Sequence, residues 1–289
     1  MLDALKPFQY FILGCTLAAT CVWFFGAQHS WILTGCCLII LIAGLPHGAF
    51  DIYIISDLFR AKAFVLAIAA YLALVLATII LWWSSPHLFL TAFLCYSAFH
   101  FGDSDWPAAC WLHKFSWGLA IITLPCLVAA EEVTLLFSII LNAEPLPLII
   151  QGLGYMALPS AVATGFRTRA HQSHNPTLAL LGCYTLICLQ GGALMAFTCY
   201  FAFLHGPHHL KRWRLKLPSK QNYMTYLISL IVFMTLVLLA LWRTDLITPG
   251  PEAALTLADR TSIQYTFVAL AALTVPHMTL LFIASKRST

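Results

Sequence analysis

The chain has 289 residues, of which 61% are hydrophobic and only 9% charged, whereas an ordinary soluble domain is about 25% charged. With a mean hydropathy of +0.86, such a chain lacks the polar surface of a water-soluble globule and reads as an all-α, polytopic integral membrane protein. The net charge of +4 comes from short basic loops rather than a basic tail or helical face, which argues against nucleic-acid binding.

A bilayer core of about 30 Å requires about 20 apolar residues per helix. In chain order the apolar runs predict spans at 8–27, 31–56, 62–83, 87–101 and 112–130, one net crossing within 133–165, and spans at 177–190, 191–209, 222–243 and 262–284. This gives about 8–10 transmembrane helices, several broken by Pro or Gly. The first run, after Met1 to Pro7, has no convincing small-x-small cleavage site and is followed at once by further spans, so it reads as a first transmembrane helix rather than a removed signal. Within 133–165, Asn142, Glu144, Pro145 and Pro147 suggest a short helix that dips into or runs along the interface. The stretch 177–209 divides at Gln190-Gly191-Gly192, because the charge pattern requires a turn there.

Basic residues report orientation. Lys6, Arg60, Lys62, Lys114, Arg167, Arg169, the run Lys211 to Lys220, Lys286 and Arg287 fall on one side, while the opposite loops are poor in cations: 28–30, 84–86, Glu131 and Glu132, and 243–260. The positive-inside rule then puts both termini in the cytoplasm, and the protein is expected in the plasma (inner) membrane. No internal repeat or linker appears, so 1–289 reads as a single transmembrane domain. The ten cysteines form no Cys-x-x-Cys pair and read as small buried hydrophobes.

Ionisable groups inside apolar spans are expensive and mark function. The second span carries Gly44-Leu45-Pro46-His47-Gly48-Ala49-Phe50-Asp51, and the fourth ends in Phe99-His100-Phe101-Gly102-Asp103-Ser104-Asp105-Trp106-Pro107. The eighth ends in His205-Gly206-Pro207-His208-His209, and the last holds Pro276-His277-Met278. Each histidine has a helix breaker close by, and broken helices at membrane depth are tolerated where they line a cavity. All four spans run from outside to inside with their histidines in the inner half, depths compatible with one site. His205 and His209, four apart, sit one above the other on an ideal helix; His208 competes with His209 where Gly206-Pro207 distorts the phase. His29, His87, His113, His171 and His174 fall in loops or at interfaces, where a solvated side chain is expected.

Imidazole nitrogens suit iron, copper, zinc or nickel. Asp51, four residues after His47, has the spacing to accept the second ring N–H of a ligating histidine, and Asp105 to do the same near His100. Direct ligation by an aspartate with two histidines, a facial-triad iron site, stays open on spacing alone. Neutral imidazoles around Fe(2+) leave the ion its charge and room for O2, which suits oxidation of an uncharged substrate. No nucleophile triad, phosphate loop or dinucleotide fingerprint is present.

The four motifs, in this order, resemble the Brp/Blh family of membrane β-carotene 15,15'-dioxygenases. The likeness runs from the second span to the last, and His208 stands where the family commonly has arginine. The resemblance implies a non-haem Fe(2+) enzyme that uses O2 to cut the central double bond of lipid-dissolved β-carotene into two molecules of all-trans-retinal, which typically supply a microbial rhodopsin. It implies His47, His100, His205 and His209 as metal ligands, with Asp51, Asp105, His208 and His277 lining or supporting the site and no catalytic residue beyond the ligands. Two other functions compete: a membrane di-iron desaturase or hydroxylase, suggested by His205-x-x-His208-His209, and a transporter or haem-binding membrane protein that uses the broken helices.

Overall fold

A computed structural model describes residues 8–26, 30–169, 176–214, 219–243 and 257–287. Lys6, His29, His171, His174, Lys216, Asp245 and Glu252 lie outside the described residues, as does the side chain of His47. The described secondary structure is helical: α1 (Gln9–Phe25), α2 (Ser30–Ala49), α3 (Asp51–Leu58), α4 (Lys62–Ser84), α5 (Pro86–Asp105), α6 (Trp111–Val128), α7 (Ala130–Leu141), α8 (Pro147–Arg169), α9 (Thr177–Tyr200), a π-helical turn π1 (Phe201–His205), α10 (Gly206–Arg214), α11 (Ser219–Arg243) and α12 (Leu257–Arg287). Six stretches among the described residues are long and apolar enough to cross a membrane: 31–58, 62–84, 111–128, 147–165, 177–211 and 260–284. A chain without water around its spans must satisfy its backbone within each segment, and these helices do so. The result is a multi-pass membrane protein.

The apolar runs reappear as helices, with differences that have local causes. The region 133–165 holds two helices. Asn142, in the left-handed conformation at φ +50°, ends α7, and Pro147, whose missing N–H costs nothing at a first helical position, starts α8. α5 runs unbroken through Gly102 to Asp105, and α12 runs through Pro276. Interruptions fall instead after Ala49, at Gly192 (φ +87°) and at π1.

Packing separates into two compact units, each discontinuous in sequence. The first comprises residues 1–36 and 94–208. In it α6 lies along α8, and α9 packs on α1 and α6. Two glycines bring α5 against α6: a Cβ on Gly102 would overlap the Lys114 carbonyl, and one on Gly118 would overlap the Ala98 carbonyl. Small residues allow such backbone approach in membrane bundles, where close packing replaces the hydrophobic effect between helices. The Lys114 ammonium also pairs with Asp103 at 2.6 Å, and Tyr184 Oη donates to the Ile121 carbonyl at 2.9 Å.

The kink at Gly192 has a specific partner. Extended backbone there exposes the N–H groups of Ala193 and Leu194, which donate to the Glu132 carboxylate at 2.8 and 3.2 Å. Burial pushes the Glu132 carboxyl up, and these two donors oppose that shift. A side chain at 192 would occupy the space of this carboxylate. The sequence reading expected two crossings, 177–190 and 191–209, divided at Gln190-Gly191-Gly192; the structure instead has one helix, α9, that kinks at Gly192 within a single apolar stretch, 177–211.

The second unit comprises residues 37–93 and 209–289. α12 packs on α4 and α3, and α11 on α12. Its core gathers Ile54, Ile55 and Leu280, flanked by Leu58, Phe59, Phe64, Tyr71 and Leu281. The remainder of α4 turns outward: Val65, Leu66, Leu72 and Trp83 are 60% or more exposed, as expected of a face that meets lipid rather than water.

Gly102→Ala and Gly118→Ala should each lower stability by about 3 kcal/mol or more, the upper end of overpacking costs, because backbone rather than a movable side chain blocks the added methyl. Gly182→Ala, where nothing lies within 4 Å, should be neutral or stabilising by up to about 1 kcal/mol. Thermal unfolding of the detergent-solubilised variants measures the contrast.

Candidate metal centre

In the first unit, α5 carries His100 and ends at Asp105, so both are fixed by one helix. The Asp105 side chain is buried to 1% exposure, and a carboxylate in that position requires donors around it. It has three. Trp117 Nε1–H from α6 donates to Oδ2 at 2.9 Å, Tyr200 Oη–H from the end of α9 donates to the same oxygen at 2.6 Å, and His205 Nδ1 lies 3.0 Å from Oδ1. The His100 ring stands edge-on to the His205 ring, centroids 4.9 Å apart. Phe101 and Phe201 close over His205 at 5.1 and 5.6 Å. His205 is the last residue of π1, whose wider turn shifts the phase of the side chains that follow; such turns are frequent at functional sites.

The second unit repeats the pattern with other residues. Asp51 opens α3 with its side chain 2% exposed. Tyr71 Oη–H from α4 donates to Asp51 Oδ2 at 2.8 Å, and His277 Nδ1 from α12 lies 2.6 Å from Oδ1. The His209 ring stands 4.9 Å from that of His277, inclined at 64°. His47 precedes Asp51 by four residues, near the end of α2, just after Pro46.

Two expectations therefore take a different form. Asp105 meets His205 from a remote helix, not its helix neighbour His100. Asp51 meets His277, a residue expected only to line or support the site. The His205 ring has His100 as its neighbour, and the His209 ring has His277. His208 is half-buried, with its ring 5.8 Å from Phe8. Among the described residues, no three His, Cys, Asp or Glu side chains gather into a cluster ready to hold a metal ion. His113, expected in solvent, is buried against Trp106, 5.7 Å between rings.

Sequence reasoning missed Tyr71 and Trp117 altogether. The available signal was the polar tip itself, since a buried phenol or indole needs an acceptor.

The residues present fit a divalent transition metal. A carboxylate that already accepts a phenol O–H takes the Nδ1–H of the histidine, which fixes the tautomer and turns the Nε2 lone pair outward as a donor. The Nε2 atoms of His205, His209 and His277 are buried and make no hydrogen bond among the described residues. The donors are nitrogen in an apolar surround, which suits iron, copper or zinc rather than magnesium or calcium.

Comparison with known proteins agrees with this chemistry. No solved structure matches the chain. Over 258 residues, 84% of this chain and 90% of the relative, it is 29% identical to a β-carotene 15,15'-dioxygenase from uncultured marine bacterium 66A03. The family model for β-carotene 15,15'-dioxygenase matches residues 38–283, which include every helix that carries an imidazole or carboxylate of the two clusters, and the chain is thus a dioxygenase that belongs to this family.

Proposed function

We propose that this enzyme cleaves the central double bond of β-carotene with O2, giving two molecules of all-trans-retinal, at a non-haem Fe(2+) site held by His47, His100, His205 and His209. The observation that carries the reading is the carboxylate-oriented imidazole, buried in apolar helices and repeated in two units. The reaction balances without a further reductant: the central carbon–carbon double bond breaks, and each of its carbons leaves with one oxygen atom as an aldehyde. No proton is taken up or released overall, consistent with the absence of any need for a general acid or base. The chemistry the iron supplies is activation of O2 toward an electron-rich double bond.

The protein's own residues orient and exclude. Asp105 holds His205 in one tautomer and at one angle, and Tyr200 and Trp117 hold Asp105. Phe101 and Phe201 keep water from the His205 ring, a surround that accepts a hydrocarbon chain. β-Carotene dissolves in the bilayer and reaches such a site without crossing water, and its placement against the metal selects the bond that is cut. Retinal leaves by the same apolar medium, where a microbial rhodopsin is a suitable recipient. The proposed location is the plasma (inner) membrane, and the basic-residue pattern supports cytoplasmic termini.

Expression in β-carotene-accumulating cells tests the reaction: pigment extraction should show loss of β-carotene and formation of retinal, and unchanged pigment from correctly inserted protein would refute it. Alanine at His47, His100, His205 or His209 should abolish the conversion while insertion persists; full activity in two of these variants would dismiss the ligand set. Iron analysis should give about one iron per chain, with two favouring a di-iron desaturase, and a Soret band would point to haem. Asp105→Asn should weaken iron retention by about 10–100-fold, measured by metal analysis after dialysis against a chelator, and Tyr200→Phe should weaken it less.

A further inference from the structure

We infer that His277 is itself a metal-binding residue, set for that role by Asp51 and Tyr71, rather than a residue that only lines the site. The inference rests on the proposed iron site and extends its ligand set.

The second unit contains the same arrangement that surrounds His205 in the first. A buried aspartate receives a tyrosine O–H on Oδ2, at 2.6 Å from Tyr200 and 2.8 Å from Tyr71. Its Oδ1 faces a histidine Nδ1, at 3.0 Å for His205 and 2.6 Å for His277. A second imidazole then stands with its ring centroid 4.9 Å from the first, His100 in one unit and His209 in the other. Ring for ring, His277 occupies the place of His205, and the two are the histidines whose tautomers an aspartate fixes. The family motif would make His209 the ligand in this unit, yet the Asp51 carboxylate orients His277.

The energetics point the same way. A buried carboxylate–imidazole pair stabilises a fold little or not at all compared with apolar side chains of similar volume, and in an apolar helix each polar group adds to the cost. The Asp51–Tyr71–His277 chain draws on α3, α4 and α12, so three elements of one unit converge to orient a single ring. A lone site-lining histidine would need only one acceptor. Fixing Nδ1 directs the Nε2 donor and makes it more basic, which matters for a ligand and has no use in a spacer.

The test uses full-length, iron-loaded protein in detergent: wild type, His277→Ala, His209→Ala and Asp51→Asn. The readouts are iron per chain and the rate of iron loss to a ferrous chelator. His277→Ala should lose iron at least about tenfold faster than wild type, comparably to His209→Ala, and Asp51→Asn about 10–100-fold faster. Added imidazole should slow the loss from His277→Ala by refilling the vacated position. If His277→Ala keeps wild-type iron content and release while His209→Ala loses its metal, the inference is overturned and the proposed iron site stands. If both keep their iron, the iron site falls as well. Should His277→Ala fail to fold, His277→Gln, which retains an N–H for Asp51 but no metal-binding nitrogen, replaces it in the same assay: fast iron loss supports the inference, and wild-type retention overturns it.

Discussion

Placing a carboxylate inside an apolar helical bundle is the constraint from which the architecture of each unit follows. An isolated carboxylate transferred to such a medium is prohibitively unstable without donors around it. Asp105 is therefore met by side chains from α6, α9 and π1, and Asp51 by side chains from α4 and α12. Each aspartate ties together helices that van der Waals contact alone would hold loosely in lipid, where no hydrophobic driving force separates helix from hydrocarbon. The groups that orient the imidazoles are at the same time the polar centre of each unit's packing.

That double role explains why the glycines stand where they do. Asp105 reaches Trp117 only if the end of α5 lies directly against α6, and this requires Gly102 and Gly118, each opposite a backbone carbonyl. Elsewhere a glycine serves a bend: at Gly192 the chain leaves the helix, and the exposed N–H groups of Ala193 and Leu194 find the Glu132 carboxylate. The first device brings helices together and the second re-aims one. Both use the missing Cβ, and neither makes the local segment weak.

The sequence carries the membrane architecture because hydropathy is a local property: the runs at 8–27, 62–83 and 112–130 return as α1, α4 and α6 with boundaries shifted by a few residues. It carries the identity of the ionisable residues for the same reason, since His47, His100, His205, His209, His277, Asp51 and Asp105 stand out against apolar neighbours. Partnership is not local. The Asp105–His205 contact spans 100 residues and the Asp51–His277 contact 226, so helical spacing favoured the near neighbours His100 and His47 over the remote ones. Gly102 looked like a breaker because glycine is a poor helix former in water, whereas in this bundle it is a contact residue inside a continuous helix. The π-helical phase of His205 has no spacing signature, and it alters which faces Phe201 to His205 present.

Charge adds a second requirement. Among the described residues the buried polar side chains include two carboxylates, Asp51 and Asp105, but no lysine or arginine. The tyrosine and indole donors are neutral, so they solvate these carboxylates without balancing them. On the proposed reading, a divalent ion held by neutral imidazoles would offset buried carboxylate charge and keep the donor nitrogens in use. On that reading the aspartates would do more than aim the rings: each would make neutral nitrogen ligands electrically tolerable for a cation within an apolar protein, while the imidazoles, rather than the carboxylates, would supply the donor atoms.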